Sequence, residues 1–254
     1  MATEMGTAWA IAALLLSLRV GPVLVLAPPF SQIRVPVRVR LCLALALAAC
    51  FAAPVANAVP HAAYGNGGAL LLSALSELAL GLAIAFAFQA AFASLSFAGR
   101  VLDVQAGFGL AMVIDPGSRS QAPLFGTILT LAAGVVFFAA GGHLEVLQLI
   151  AVSIELVPVG HVQILGSPQS FIAYFSVVMG VGLGAIAAAM VALFLIDLTI
   201  AFLSRALPQM NALMLGLQVK AIAALIVMAL SAGLLAPVVL RLTRMALEFV
   251  PSMD

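Results

Sequence analysis

Six stretches of this sequence are apolar for the length of a helix that crosses a bilayer: residues 8–27, 41–59, 69–98, 123–140, 171–196 and 221–240. A hydrocarbon core ~30 Å thick takes ~20 helical residues, and only helices or closed barrels satisfy the backbone there. The remainder of the chain has no polar surface to offset these runs. Ten Lys and Arg and nine Asp and Glu are spread over 254 residues, 65% of them hydrophobic, whereas a soluble domain is ~25% charged. A cytoplasmic enzyme, a nucleic-acid binder and a disordered tail are excluded, and a net charge of +1 holds no attraction for a polyanion. The fold class that follows is all-α, a multi-helix integral membrane protein.

The spans are irregular, so broken and re-entrant helices are expected. Arg19 and then Gly21-Pro22 interrupt the first run, Glu77 lies within the third, and Asp197 ends the fifth. The third run, about 45 Å as helix, must tilt, bend or leave the hydrocarbon. Three leftover apolar pieces, 104–114, 143–158 and 206–219, are too short or interrupted to span and read as re-entrant or interfacial segments. In the second of them Glu145, Gln148 and Glu155 fall on one side of a helix, as in a segment lying at the bilayer surface. Charge topology points the same way. Arg34, Arg38 and Arg40 place the first loop inside, and counting through six spans then puts Arg241 and Arg244 outside, against the positive-inside rule. Either a short segment crosses or re-enters, or some helices never span lipid. Neither a domain boundary nor an internal repeat is evident, so residues 1–254 read as one membrane-embedded unit.

Targeting and redox chemistry are quickly dealt with. Arg34, Arg38 and Arg40 before an apolar run, followed by Ala56-Asn57-Ala58, imitate a signal peptide. Some thirty residues precede them, and a second transmembrane helix with a basic flank is the better reading. Cys42 and Cys50 lie ~12 Å apart along a helix, beyond disulfide reach. His61, His143 and His161 are widely spaced, with no ligand-like neighbours and no Ser/His/Asp set, so no metal, cofactor or catalysis is implied.

What remains is a handful of ionisable groups inside apolar helices. Each costs ~2.5–3.5 kcal/mol at mid-membrane, so Arg19, Glu77, Asp103, Asp197, Arg205 and Lys220 need partners or water. Arg100 and Asp103, three apart, are placed to pair on one helix face. Transport coupling would gather several polar groups at one level. These are scattered, which favours charges satisfied across helix contacts. Gly180-Val181-Gly182-Leu183-Gly184 contains a GxxxG that permits close backbone approach. The most distinctive segment is Gly99-Arg100-Val101-Leu102-Asp103-Val104-Gln105-Ala106-Gly107-Phe108-Gly109-Leu110-Ala111-Met112-Val113-Ile114-Asp115-Pro116-Gly117-Ser118. It is apolar, glycine-flexible, bounded by polar turns and too short to span. An apolar loop buried in protein can close a pore by dewetting and packing.

These residues resemble the FliR family of flagellar type III export-gate proteins and its injectisome counterparts, the SctT proteins. The matching residues begin with Arg19-x-Gly21-Pro22, Ala27-Pro28, Val35-Pro36-x-x-x-Arg40 and Glu77-x-x-x-Gly81. They continue with Ala98-Gly99, Asp103-x-Gln105-x-Gly107 and Asp115-Pro116-Gly117-Ser118. Gly141-Gly142-His143-x-x-x-Leu147, Pro158-Val159-Gly160 and Arg205-x-x-Pro208-Gln209-x-Asn211 before Gly216 complete the set. The resemblance implies an inner-membrane subunit of the flagellar basal body that combines FliP-like and FliQ-like helix arrangements. With FliP and FliQ it would form the channel for exported unfolded polypeptides, with FlhB associated and FlhA below, and much of the assembly raised above the lipid plane. It implies a gate loop at residues 108–113. Gln105 and Gly107 would position it, and Phe108, Leu110, Met112 and Val113 would seal it. Relatives can place phenylalanine where this chain has Leu110 and Val113. Arg205, Pro208, Gln209 and Asn211 would shape a helix break near subunit contacts, and Glu77 would be a polar contact with neighbours.

Three competing classes make different demands. A secondary transporter or ion channel would show inverted repeats and clustered midplane charges, and neither is evident. A membrane-embedded enzyme would show convergent catalytic groups. An injectisome subunit differs from a flagellar one only in its company, which genomic neighbours would reveal.

Overall fold

A computed structural model describes residues 2–56, 59–60, 66–108, 123–161, 167–206, 212–249 and 251, with side chains from residue 6 and without those of 212–215. Seven α-helices are present among the described residues, with no strand: α1 (Ala2–Leu26), α2 (Val37–Val55), α3 (Gly67–Gln105), α4 (Leu124–Ala139), α5 (Gly142–Leu156), α6 (Pro168–Ala206) and α7 (Ala212–Phe249). Five of them, α1, α2, α3, α6 and α7, are long and apolar enough to cross a membrane. The chain forms two compact units. One comprises Met1–Ala90, Phe137–Phe175 and Thr243–Asp254; the other comprises Ala91–Val136 and Ser176–Leu242. The helices α3, α4, α6 and α7 contribute residues to both.

In the first unit α1 lies along α2. The contact is close because α2 buries Ala44, Ala48 and Ala52, one small residue per turn. Trp9 Nε1 donates to the Ala49 carbonyl at 3.3 Å. Arg40 of α2 donates to the carbonyls of Val25, Ser31 and Ile33, a cation where the α1 dipole ends negative. Phe137 meets Phe30 and Phe88 edge-on, with centroids 6.0 and 6.2 Å away. Phe249, at the end of α7, packs against Phe171 and Tyr174, and the Tyr174 hydroxyl donates to the Ala87 carbonyl at 2.8 Å.

In the second unit, small residues set the approaches between helices. A Cβ built on Gly182 of α6 would stand 2.7 Å from the Ser94 side chain of α3, closer than packing allows. Gly180 and Gly184 meet nothing within 4 Å. The expected GxxxG contact is therefore made by the glycine between the two, because residues two apart lie on opposed sides of a helix.

Several helix boundaries differ from the sequence expectation. The third span does not end at residue 98 but continues to Gln105, about 58 Å in all. The piece 206–219 is no separate segment from Ala212 onward, where it opens α7. Pro22 and Pro237 lie inside α1 and α7 without ending them, as membrane helices permit. The 143–158 piece is α5, joined to α4 as a pair bent by 71°. At the bend Gly141 has φ +80°, and a Cβ on Gly142 would strike the Phe137 ring at 2.6 Å. The polar stripe of α5 is exposed at Glu145, Gln148 and Glu155, while Val146, Leu149, Ile150, Ser153 and Ile154 are buried.

Candidate functional site

The first unit holds a buried polar knot centred on Arg19. Its side chain is 0% exposed, and that of Glu77 is 1%. Arg19 Nε donates to Glu77 Oε2 at 2.6 Å. One terminal nitrogen donates to the Ser153 carbonyl at 2.8 Å and to Ser153 Oγ at 3.3 Å, and the other donates to the Val157 carbonyl at 2.9 Å. Those carbonyls belong to the last turn and C-cap of α5, where the dipole is negative; the Ser153 carbonyl also accepts from the Val157 N–H at 3.0 Å. The remaining carboxylate oxygen, Glu77 Oε1, accepts from Gly160 N at 3.1 Å. Gly160 has φ +83° in a turn closed by His161 N donating to the Pro158 carbonyl, a conformation glycine adopts without steric cost. Ser73 and Ser76 donate to the carbonyls of Gly160 and His161. A neutral ion pair thus satisfies the end of one helix and the turn that follows it.

Gly81 completes the knot one turn beyond Glu77. A Cβ there would lie 2.9 Å from the Leu18 carbonyl oxygen and closer still to that of Arg19. Pro22 has no N–H, so the Leu18 carbonyl has no partner four residues on. Gly81 thus lies against both carbonyls, nearer to that of Arg19.

The second unit repeats the device on the same helix. Gly99 and Asp103, one turn apart on α3, both face the start of α4. A Cβ on Gly99 would stand 2.6 Å from the Phe125 carbonyl carbon. Asp103, 6% exposed, accepts from the N–H of Phe125 at 3.0 Å and of Gly126 at 3.4 Å. It caps the N-terminus of α4 from another helix. Arg100 is exposed, so the expected Arg100–Asp103 pairing gives way to backbone N–H groups that would otherwise be orphaned.

The α3 helix ends on the residues assigned to the gate. Ala106 N donates to Leu102 O and Gly107 N to Val104 O, and Gly107 has φ +87°, a left-handed C-cap. Phe108 packs edge-on against Phe125 with centroids 5.8 Å apart. Gln105 Nε2 donates to Asp197 Oδ2 at 3.2 Å, and Asp197 Oδ1 is paired with Lys220 of α7. Leu110, Met112 and Val113 lie outside the described residues.

Among the proposed contact residues, Pro208, Gln209 and Asn211 also lie outside the described residues. Arg205 is exposed in the last turn of α6. Glu77 is not at the surface: both its oxygens are used inside the chain. Sequence reasoning left Arg19, Asp197 and Lys220 without named partners and missed Ser73, Ser76 and Ser153. The motifs Glu77-x-x-x-Gly81 and Pro158-Val159-Gly160 were the available signals, and they meet at the knot. No group of three His, Cys, Asp or Glu stands together among the described residues.

Comparison with known proteins gives a consistent result. The family model described as "Bacterial export proteins, family 1" matches residues 10–246. The flagellar biosynthetic protein FliR of Escherichia coli K12 is 29% identical over 227 residues, 87% of this chain and 84% of the relative. FliR of Aquifex aeolicus is 27% identical over 209 residues, 82% of this chain and 80% of the relative. The Yop proteins translocation protein T of Yersinia pestis is 32% identical over 161 residues, 62% of each chain.

Proposed function

The chain belongs to family 1 of the bacterial export proteins, and on that premise we propose that it is a subunit of the flagellar type III protein export gate. In this reading it sits in the inner membrane at the flagellar basal body and joins FliP and FliQ around the path of unfolded flagellar proteins. FlhB and FlhA adjoin the assembly, and the chain itself performs no catalysis. Residues 1–254 act as one gate subunit. Phe108 begins the seal and Leu110, Met112 and Val113 complete it, with Gln105 and Gly107 setting its position. Arg205, Pro208, Gln209 and Asn211 lie toward neighbouring subunits.

One observation carries the multi-subunit reading. Large apolar side chains are exposed along α6 from Ile172 through Val191 to Phe202, ~45 Å of helix. To lie wholly within ~30 Å of hydrocarbon such a face would have to tilt by about 48°, beyond the ~40° reached by transmembrane helices. Cover of part of this face by neighbouring protein accounts for its length. On α3 the exposed residues run from Leu71 to Val104, ~50 Å, with the same consequence. A monomeric transporter has no reason to carry either face.

The flagellar system is favoured over the injectisome because the flagellar relatives match over most of both chains, and the Yersinia one over 62%. Purification of a tagged chain from membranes in mild detergent tests the reading. The expected result is a stable complex containing FliP and FliQ, together with loss of flagellar protein export when the chain is deleted. A lone stable monomer with substrate-dependent solute transport would overturn it.

A further inference from the structure

We infer that Asp197 and Lys220 are positioning residues for the gate: together they fix the point at which the chain leaves α3. This rests on the reading of Phe108 as the start of the seal. Asp197 is the shared member of two contacts. Its Oδ2 accepts from Gln105 at 3.2 Å and its Oδ1 is paired with Lys220, so one carboxylate joins α3, α6 and α7. A second contact bears on the same short segment from the same face of α7. Leu217, three residues before Lys220, is so close to Gly107 that a Cβ there would lie 2.8 Å from Leu217 Cδ2. Register between α6 and α7 is held beside the pair, where a Cβ on Gly216 would meet Ile200 at 3.5 Å. Thus α7 reaches Gln105–Gly107 twice, directly through Leu217 and in series through Asp197.

The pair does not have the character of a core support. The side chains of Asp197 and Lys220 are 34% and 22% exposed, and a partly exposed ion pair adds little to stability. Its effect is geometric. It sets the level of Gln105 just before the helix ends at a left-handed glycine, with Phe108 the next residue. A displacement of α7 relative to α6 changes the Lys220–Asp197 contact first and the Gln105 contact with it.

The series arrangement makes a specific demand. Cutting either link releases the same segment, so a second cut adds nothing. The test uses the assembled complex, with nitroxide labels at Val104 and Ile222, both exposed, and labelled chain diluted into unlabelled chain. Lys220→Met and Gln105→Leu are each expected to broaden the measured distance distribution about twofold, and their combination no further. The exchange Asp197→Lys with Lys220→Asp is expected to restore the width, since the Gln105 amide can turn to accept. The same complexes in vesicles should leak small ions about fivefold faster with either single change, at unchanged assembly yield. Unchanged widths, or additive broadening, would overturn the inference. Phe108→Ala separates it from the gate reading. If Phe108→Ala leaves leak unchanged while the widths respond, the gate reading fails and the positioning role stands. If it leaks and the widths do not respond, the positioning role alone fails.

Discussion

Removing Glu77 should be among the most damaging single changes in this protein, and the size of the effect follows from its surroundings. The Arg19–Glu77 pair is fully buried, with Nε and Oε2 2.6 Å apart. Two charges ~4 Å apart at an effective dielectric of ~20 attract by about 4 kcal/mol, and deletion of one partner of a buried pair costs about 3–5 kcal/mol. Two features adjust that figure. Ser153 and Val157 still accept from the guanidinium, which favours the lower end. The Gly160 N–H loses its acceptor, adding about 1–3 kcal/mol. Glu77→Ala should therefore cost about 4–5 kcal/mol, a large share of a stability of about 5–15 kcal/mol. Arg19→Ala should cost a similar amount, because it strands the carboxylate and the Val157 carbonyl. The double variant should be less damaged than the sum by about 2–3 kcal/mol, yet well short of wild type, since the end of α5 and the turn at Gly160 stay unsatisfied. Denaturation by SDS in mixed micelles, with membrane abundance as a second readout, measures all four corners of the cycle. A coupling below about 0.5 kcal/mol, or a Glu77→Ala cost below about 1 kcal/mol, would refute the assignment of this pair as the knot's centre.

Three further outcomes are expected. Gly99→Ala should force α3 and α4 apart, because the new methyl meets backbone at Phe125 and Gly126; a loss of about 2–3 kcal/mol is expected in the same assay, while Gly180→Ala, which meets nothing, should be neutral. Replacing Leu110, Met112 and Val113 together by alanine should make correctly assembled complexes leaky to small ions, measured as conductance across planar bilayers; wild-type conductance would remove those residues from the seal. A reporter inserted at Asn66 should be active in the periplasm; cytoplasmic activity there would discard the placing of Arg34, Arg38 and Arg40 on the inside.

Composition made the membrane class legible, because nineteen charges cannot coat a chain of this length. It also marked Arg19, Glu77 and Asp103 as groups that required partners. Which partners they take was hidden, because the bonds run between Arg19 and Val157 or between Asp103 and Phe125, distances over which periodicity carries no information. Asp103 shows the consequence. Its neighbour three residues back suggested a local pair, but the unpaired N–H groups of α4 compete for it and win. Helix ends were misjudged for a related reason: Arg100 and Asp103 looked like the edge of an apolar run, yet α3 passes through them because the carboxylate has a protein acceptor role. The glycine contact on α6 was placed two residues away because every face of that helix is apolar or small, so sequence carried no phase. The Asp197–Lys220–Gln105 chain had no local signature at all.

The Arg19 knot also constrains how the polypeptide is made. Arg19 leaves the ribosome 58 residues ahead of Glu77 and 134 residues ahead of Ser153. At ~5–20 residues per second, α1 waits several seconds for its carboxylate and longer for its carbonyls. During that interval its cation is without the carboxylate and weakens the insertion propensity of α1 by ~2.5–3.5 kcal/mol, a cost set against the gain from its Leu, Ile and Val side chains. A helix made before its partners thus depends on two segments that emerge later.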